Sequence, residues 1–414
     1  MKKILFLILI SINLAIFAQV GINNDGSQPD NSSMLDVKST NKGILIPRMT
    51  KPERDAINNP VAGLLIYNTD CNIFQYYNGS NWYSMIAKIE DSNPCSNMSD
   101  WSYKLPFELS NSSANTLTDY QVMVTVDTQT PIGQGKMNSD GNDIRFVDAD
   151  CNIIPHWVES GMNTNETKIW FKASSILANS TTYIYMYYGN ASASNSESGS
   201  NVFEFWEDFS NGLGAFSESG NCSGGYTVNN GILSVQSNSF STTTATAYNM
   251  NDGYYLESRI NYTDASSGSN YSGVLEANSH EWGGCSSNTC EHAVILYMRQ
   301  HNNSTSVTRW IGDGSTGSYN VSSSSNVFNS TDNTWYILGE KVMPDSVTLL
   351  KDYQAQSTDA VTSWAKNLNY IMLGYFVQDC GDIQDTDYDW VRIRKAADTE
   401  PTISNGNEQS LNCH

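Results

Sequence analysis

Between Trp101 and Asn190 apolar and polar residues alternate with a period of two. Tyr103, Leu105, Phe107 and Leu109 fall on one side, as do Val122, Val124 and Val126, the pattern of half-buried strands. NDIRFVDADCNIIPHWVE and KIWFKASSILANSTTYIYMYYGN carry strand signals in the same region, so residues 96–190 read as a β-module. A small-residue spacer, ASASNSESGSN, follows and marks a boundary. Beyond it, over 203–400, short strand-like runs (GILSVQS, YYLESRINY, HAVILYMRQ, TWYILGEKV, SVTLLKDY, NYIMLGYFV, YDWVRIRK) alternate with Gly, Ser and Asn turns, which predicts a sandwich or jelly roll. Residues 19–90 predict a smaller β-rich module. Strands are expected at Gly43–Ile46 and Gly63–Tyr67, a hairpin turn at Asn78-Gly79, and a short helix from Thr50 with Pro52 in its first turn. Residues 91–100 have linker composition, and the polar stretch 401–414 is expected to be poorly ordered unless Cys413 anchors it. The fold class is all-β and multi-domain.

The first 18 residues change the compartment. Two lysines precede an apolar run from Ile4 to Phe17, and Ala18 stands before Gln19, the form of a secretory signal peptide cut after Ala18. No later run reaches the roughly 20 apolar residues of a spanning helix, so a secreted or surface location is expected. The net charge is −21 with only 16% charged residues, which argues against nucleic acid and anionic membrane as partners, since both require clustered Lys and Arg.

Eight cysteines in an exported chain are read as disulfides, with Cys285–Cys290 the only local pair. Cys71, Cys151 and Cys380 sit in turn-like sequence, where a cysteine at a hairpin tip ties neighbouring loops together. His280 and His292 flank the local pair, but zinc thiolates compete poorly with disulfide formation outside the cell. Asp148, Asp150, Asn152 and Glu159 have calcium-loop spacing without the required glycine, so an ordinary turn is expected there. The acidic run that includes Asp379, Asp382, Asp385, Asp387 and Asp389 offers hard oxygen ligands, and Asp382, Asp385 and Asp387 are the candidate calcium ligands; the bland reading is a solvated loop.

Three resemblances add to this. The W-x-Y-x-x-P run from Trp101, the DIRF of Asp143–Phe146 and the closing MYYGN resemble the bacterial domain of unknown function family 2341, which implies a β-module of undefined activity. The WEDF of 206–209, the NNGILSV strand and YDWVRIRK resemble concanavalin-like and laminin-G-like sandwiches. Residues 19–90 are similar to an N-terminal module of Bacteroidetes secreted and surface proteins, which implies a homo-oligomer through this region.

Sugar sites combine aromatic rings, which pack on C–H faces, with fixed polar groups for the hydroxyls. Alternation places Tyr297 and Arg299 on one face of their strand, and Tyr388, Trp390, Arg392 and Arg394 on one face of theirs, with Trp282 and Trp310 in nearby sequence. The candidate glycan platform is therefore Trp282, Tyr297, Arg299, Trp310, Trp390 and Arg392. The competing reading is that these side chains pad the sandwich or contact the central module. Laminarinase-like enzymes carry Glu-x-Asp-x-x-Glu on one strand, and neither that run nor a G-x-S-x-G elbow occurs. Noncatalytic binding of carbohydrate or another surface is the expected function. A polysaccharide-degrading enzyme is the alternative, and a structural fibre or scaffold subunit the second.

Overall fold

The computed structural model describes residues 19–70, 73–85, 95–218, 225–235, 239–248, 253–263, 270–277, 294–301, 306–312, 322–360, 368–375 and 386–411. These form two compact units, one up to Ser92 and one from Asn93 to Asn412.

In the N-terminal unit, β1 (Val20–Ile22) pairs in parallel with β2 (Leu35–Val37). A second sheet has the order β3 (Arg48–Met49), β4 (Leu65–Asn68), β5 (Ile73–Tyr77), β6 (Trp82–Ser84). The predicted helix is present at Lys51–Asp55: Thr50 accepts from the Glu53 backbone N–H while the Glu53 carboxylate reaches back to Thr50. Asn78 Oδ1 accepts from the backbone N–H groups of Ser80 and Asn81 to form the β5–β6 turn, where Gly79 takes φ 105°. The strand expected at Gly43–Ile46 is not one; Ile44 is 61% and Leu45 80% exposed. Polar groups fill much of this unit's interior, with buried Arg54 and Asn68 both donating to Gln75 Oε1, at 2.8 and 3.0 Å.

The first described residue of the second unit is Cys95, disulfide-bonded to Cys151 at the tip of a hairpin. Its first part comprises β7 (Tyr103–Asn111), β8 (Leu117–Val126), β9 (Arg145–Asp148), β10 (Ile153–Ile154), β11 (His156–Ser160), β12 (Thr167–Ile176) and β13 (Ser180–Tyr188). One sheet runs β10-β9-β13-β7 and the other β11-β12-β8. The predicted alternation holds: Phe107, Leu109, Val122, Val124 and Val126 meet between the sheets, where Phe146 stacks on Phe171 at 4.8 Å. Asp148 to Asn152 is an ordinary turn, since Asp148 Oδ1 accepts the backbone N–H groups of Asp150 and Asn152.

The second part is a β-sandwich. One sheet contains β16 (Tyr226–Asn229), β17 (Ile232–Val235), β28 (Thr386–Lys395), β19 (Tyr254–Tyr262), β24 (Trp335–Met343), β25 (Ser346–Lys351) and β26 (Gln354–Ala360) in that order, with β14 (Phe205–Glu207) also on β28. The other runs β15 (Ser217–Glu218), β18 (Ser239–Tyr248), β27 (Leu368–Tyr375), β20 (Asn270–Ala277), β21 (Val294–His301), β22 (Ser306–Gly312), β23 (Ser322–Asn329). Leu256, Ile260, Leu338, Val347, Leu373, Val391 and Ile393 meet in its core.

The chain then returns to the first part. β29 (Thr402–Asn405) and β30 (Gln409–Ser410) both pair with β7. The expectation of a poorly ordered tail is corrected here, because these strands satisfy the β7 edge and Tyr188 Oη donates to Glu408 at 2.5 Å. The sandwich is thus inserted between strands of one sheet.

Candidate binding cleft

The outer face of β28 and β19 is where the sandwich meets the central module. A bulge at Asp389 shifts the register, so that Arg259 pairs with Trp390 and Ile260 with Tyr388. Alternation had grouped Tyr388 with Trp390, Arg392 and Arg394. The bulge turns Tyr388 inward, where its hydroxyl donates to the Gly273 carbonyl at 2.7 Å and accepts from the Gly374 N–H at 2.9 Å.

Arg392 is 0% exposed. Its Nε donates to Glu257 Oε2 at 2.7 Å, one terminal nitrogen to Glu159 Oε2 at 3.0 Å, and the other to the Tyr353 hydroxyl at 2.8 Å. Arg394 donates to Glu257 Oε1 at 2.9 Å, and Trp170 Nε1 to Glu159 Oε2 at 2.8 Å. Trp390 and Trp170 flank the Arg392 guanidinium at 4.3 and 4.4 Å. Burial pushes Glu257 upward, but Arg394 and Arg392 outweigh it and hold the carboxyl at about 2. Trp390, 3% exposed, and Arg392 are therefore corrected: they form a closed joint with the central module and present no surface to a glycan.

Beside this joint a cleft of about 480 Å³ opens, lined by Trp157, Glu197, Ser198, Gly199, Ser200, Trp206, Glu207, Asp208, Ser210 and Asn211. Trp157 comes from β11 and Trp206 from β14, and their rings meet edge-to-face at 4.6 Å. The spacer forms one wall. It is pinned by the Arg145 bond to the Ser194 carbonyl at 2.6 Å, by Ser198 N–H to the His156 carbonyl at 2.9 Å, and by Glu197 accepting the Val158 N–H at 3.1 Å. A short helix, Gly199–Val202, follows, and Gly199 lies on the Trp206 indole so closely that a Cβ would fall 2.3 Å from the ring.

The WEDF turn forms the other wall. Glu207 accepts the Phe209 N–H at 2.9 Å and the Ala215 N–H at 2.7 Å, which holds Phe209 at φ 53°. Asp208 accepts from Trp206 Nε1 at 3.3 Å and from the Ser210 N–H at 3.1 Å. Partial burial pushes the Asp208 carboxyl upward, yet the bonds from Ser210 and Trp206 prevail and keep it below its usual range. His156, which precedes Trp157 on β11, is buried against Phe146 and held down to about 4 by that burial, a neutral core residue.

Residues 140–217 match the family model of the domain of unknown function DUF2341. The cleft-lining residues among those described all fall within that match. Residues 21–99 match a phage tail like trimerisation region. No curated protein matches the chain in sequence. Among solved structures the chain is similar to a prokaryotic β-1,3-1,4-glucanase derived from a mouse hindgut metagenome, at 13% identity over 46% of this chain and 99% of that one, with TM-score 0.36. It is also similar to an endo-β-1,4-glucuronan lyase from Trichoderma reesei, at 10% identity over 47% and 96%, TM-score 0.37. A third is the laminarinase catalytic domain of Thermotoga maritima, at 12% identity over 47% and 98%, TM-score 0.36.

Of the remaining sequence candidates, those among the described residues, Tyr297, Arg299, Trp310 and Asp387, are not among the residues that line the cleft. Tyr297 and Arg299 lie on β21 opposite Val274 and Val307, both sandwich-core residues, and Trp310 lies on β22 opposite Leu296. Trp282, Cys285, Cys290, Asp382 and Asp385 lie outside the described residues. Asp387 accepts from Ser234 Oγ at 2.6 Å and Asn261 Nδ2 at 3.2 Å, and no metal-binding cluster occurs among the described residues. Sequence reasoning passed over Trp157, Trp206 and the spacer. The juxtaposition of PHWVE, a pinned serine-rich loop and WEDF was the available signal.

Proposed function

We propose that this chain is an exported, noncatalytic carbohydrate-binding protein, with its site in the DUF2341 cleft. The observation that carries the proposal is the cleft's composition: two tryptophan edges, serine and asparagine side chains, and carboxylates already positioned by backbone N–H groups. Such a lining matches the mixture of C–H faces and hydroxyls on a sugar. Binding is favoured over cleavage by the state of the carboxylates. A glycosidase pair requires one carboxyl that holds a proton near neutrality. Here Asp208 is kept ionised, and Glu207 braces its own loop through both oxygens. Among the described residues no helix is long and apolar enough to cross a membrane.

Oligomeric presentation fits the N-terminal unit. Val20, Ile22, Met34, Leu35, Phe74 and Tyr83 are each at least 45% exposed in this small unit, and the segment matches a trimerisation region. Light scattering of the chain is expected to give a trimer mass, and a monomer mass would remove this part of the proposal.

The binding reading is tested with a glycan array, using the whole chain after the leader and the variant Ser200→Trp, which fills the cleft from an exposed position. Saturable binding lost in the variant, with no new reducing ends or unsaturated sugar, is expected. Silence across the array, or binding indifferent to Ser200→Trp, overturns it.

A further inference from the structure

The charge of the cleft goes further than its shape. We infer that it selects uncharged saccharides and rejects those bearing carboxylate or sulfate, an inference that rests on the binding reading above. Glu197, Glu207 and Asp208 line it, and among the described residues no Lys, Arg or His does. The neighbouring cations are committed elsewhere. Arg392 reaches the Trp157 ring at 5.7 Å, but its nitrogens serve Glu257, Glu159 and Tyr353 and it is 0% exposed. Arg145 donates to the carbonyls of Asn142, Ile144 and Ser194.

An anionic sugar would sit beside carboxylates without a compensating cation. That juxtaposition is unfavourable wherever water is partly excluded. A neutral sugar meets the opposite situation. Each carboxylate has about four acceptor positions. Glu197 accepts only from the Val158 N–H and from Asn195 Nδ2, so it retains capacity for sugar hydroxyl donors. The wall is therefore an acceptor surface for uncharged, hydroxyl-rich ligands, and Glu197 and Asp208, the carboxylates with solvent contact, determine specificity.

The test uses matched oligosaccharides that differ only at C6: gluco-, manno- and galacto-oligomers against the corresponding uronate oligomers. Calorimetric titration into the whole chain is expected to show a neutral oligomer bound at least about tenfold tighter than its uronate partner. Glu197→Gln and high salt should both narrow that gap, because both weaken the field. A uronate bound as tightly as its neutral partner, with both lost in Ser200→Trp, would overturn the charge selection while leaving the cleft as a glycan site. Binding of any oligomer that survives Ser200→Trp would instead remove the cleft reading itself.

Discussion

Two places among the described residues bring tryptophan and carboxylate together, and they end in opposite states. At the joint, Trp170 and Trp390 enclose Arg392 with Glu159 and Glu257, and the carboxylates are matched by two guanidinium groups. In the cleft, Trp157 and Trp206 stand with Glu197, Glu207 and Asp208, and no Lys, Arg or His among the described residues lines it. A buried charge is tolerated only when it is paired, so the joint holds two modules together and excludes water. In the cleft Glu197 and Asp208 keep contact with solvent while Glu207 is buried against its own loop, and all three are held by backbone N–H groups. Pairing makes structure, whereas unpaired but oriented acceptors leave a surface that a ligand can complete.

The comparison breaks most directly at Arg392. Arg392→Ala should cost about 3–5 kcal/mol of stability in denaturant unfolding, since it leaves the buried Glu159 carboxylate without a guanidinium and Glu257 with Arg394 alone. A loss below about 1 kcal/mol, the range of an exposed pair, would mean the joint is not closed. Acid should act on the same group. Glu257 is held at about 2 against an ordinary 4.5, so its contribution is complete above the unfolded value and disappears as pH falls through the folded one. Unfolding midpoints between neutrality and pH 2 should show a decline of up to roughly 3 kcal/mol from this carboxyl. A flat profile would contradict the pairing.

Removal of residues 402–411 should cost about 2 kcal/mol by exposing the β7 edge and deleting the Glu408 bonds. An unchanged midpoint would show that the returning strands are dispensable. The smallest stability effect belongs to the cleft: Ser200→Trp, at an exposed position, should shift the midpoint by less than about 0.5 kcal/mol while abolishing glycan binding.

The strands of the central module were legible because one face is buried and the other solvated, which imposes a period of two from Tyr103 to Leu109. The same rule misled at Tyr388, since a one-residue bulge at Asp389 inverts the phase, and nothing in YDWVRIRK marks it. The returning strands were illegible for a different reason. β29 and β30 lie on a sheet edge with Ile403 only partly buried, so no alternation is imposed on a polar sequence. Ile44 and Leu45 gave a strand signal without a strand, because their side chains meet no core in this unit. The cleft was hidden in what read as a spacer. Serine-rich composition is the same whether a loop is free or pinned, and here Arg145, His156 and Val158 pin it.

Hydrogen–deuterium exchange of the whole chain, with and without the glycan that binds best, tests the central claim most directly. Protection confined to residues 156–160 and 197–211 is predicted. Protection on β21 and β22, around Tyr297, Arg299 and Trp310, with the cleft unchanged, would contradict it.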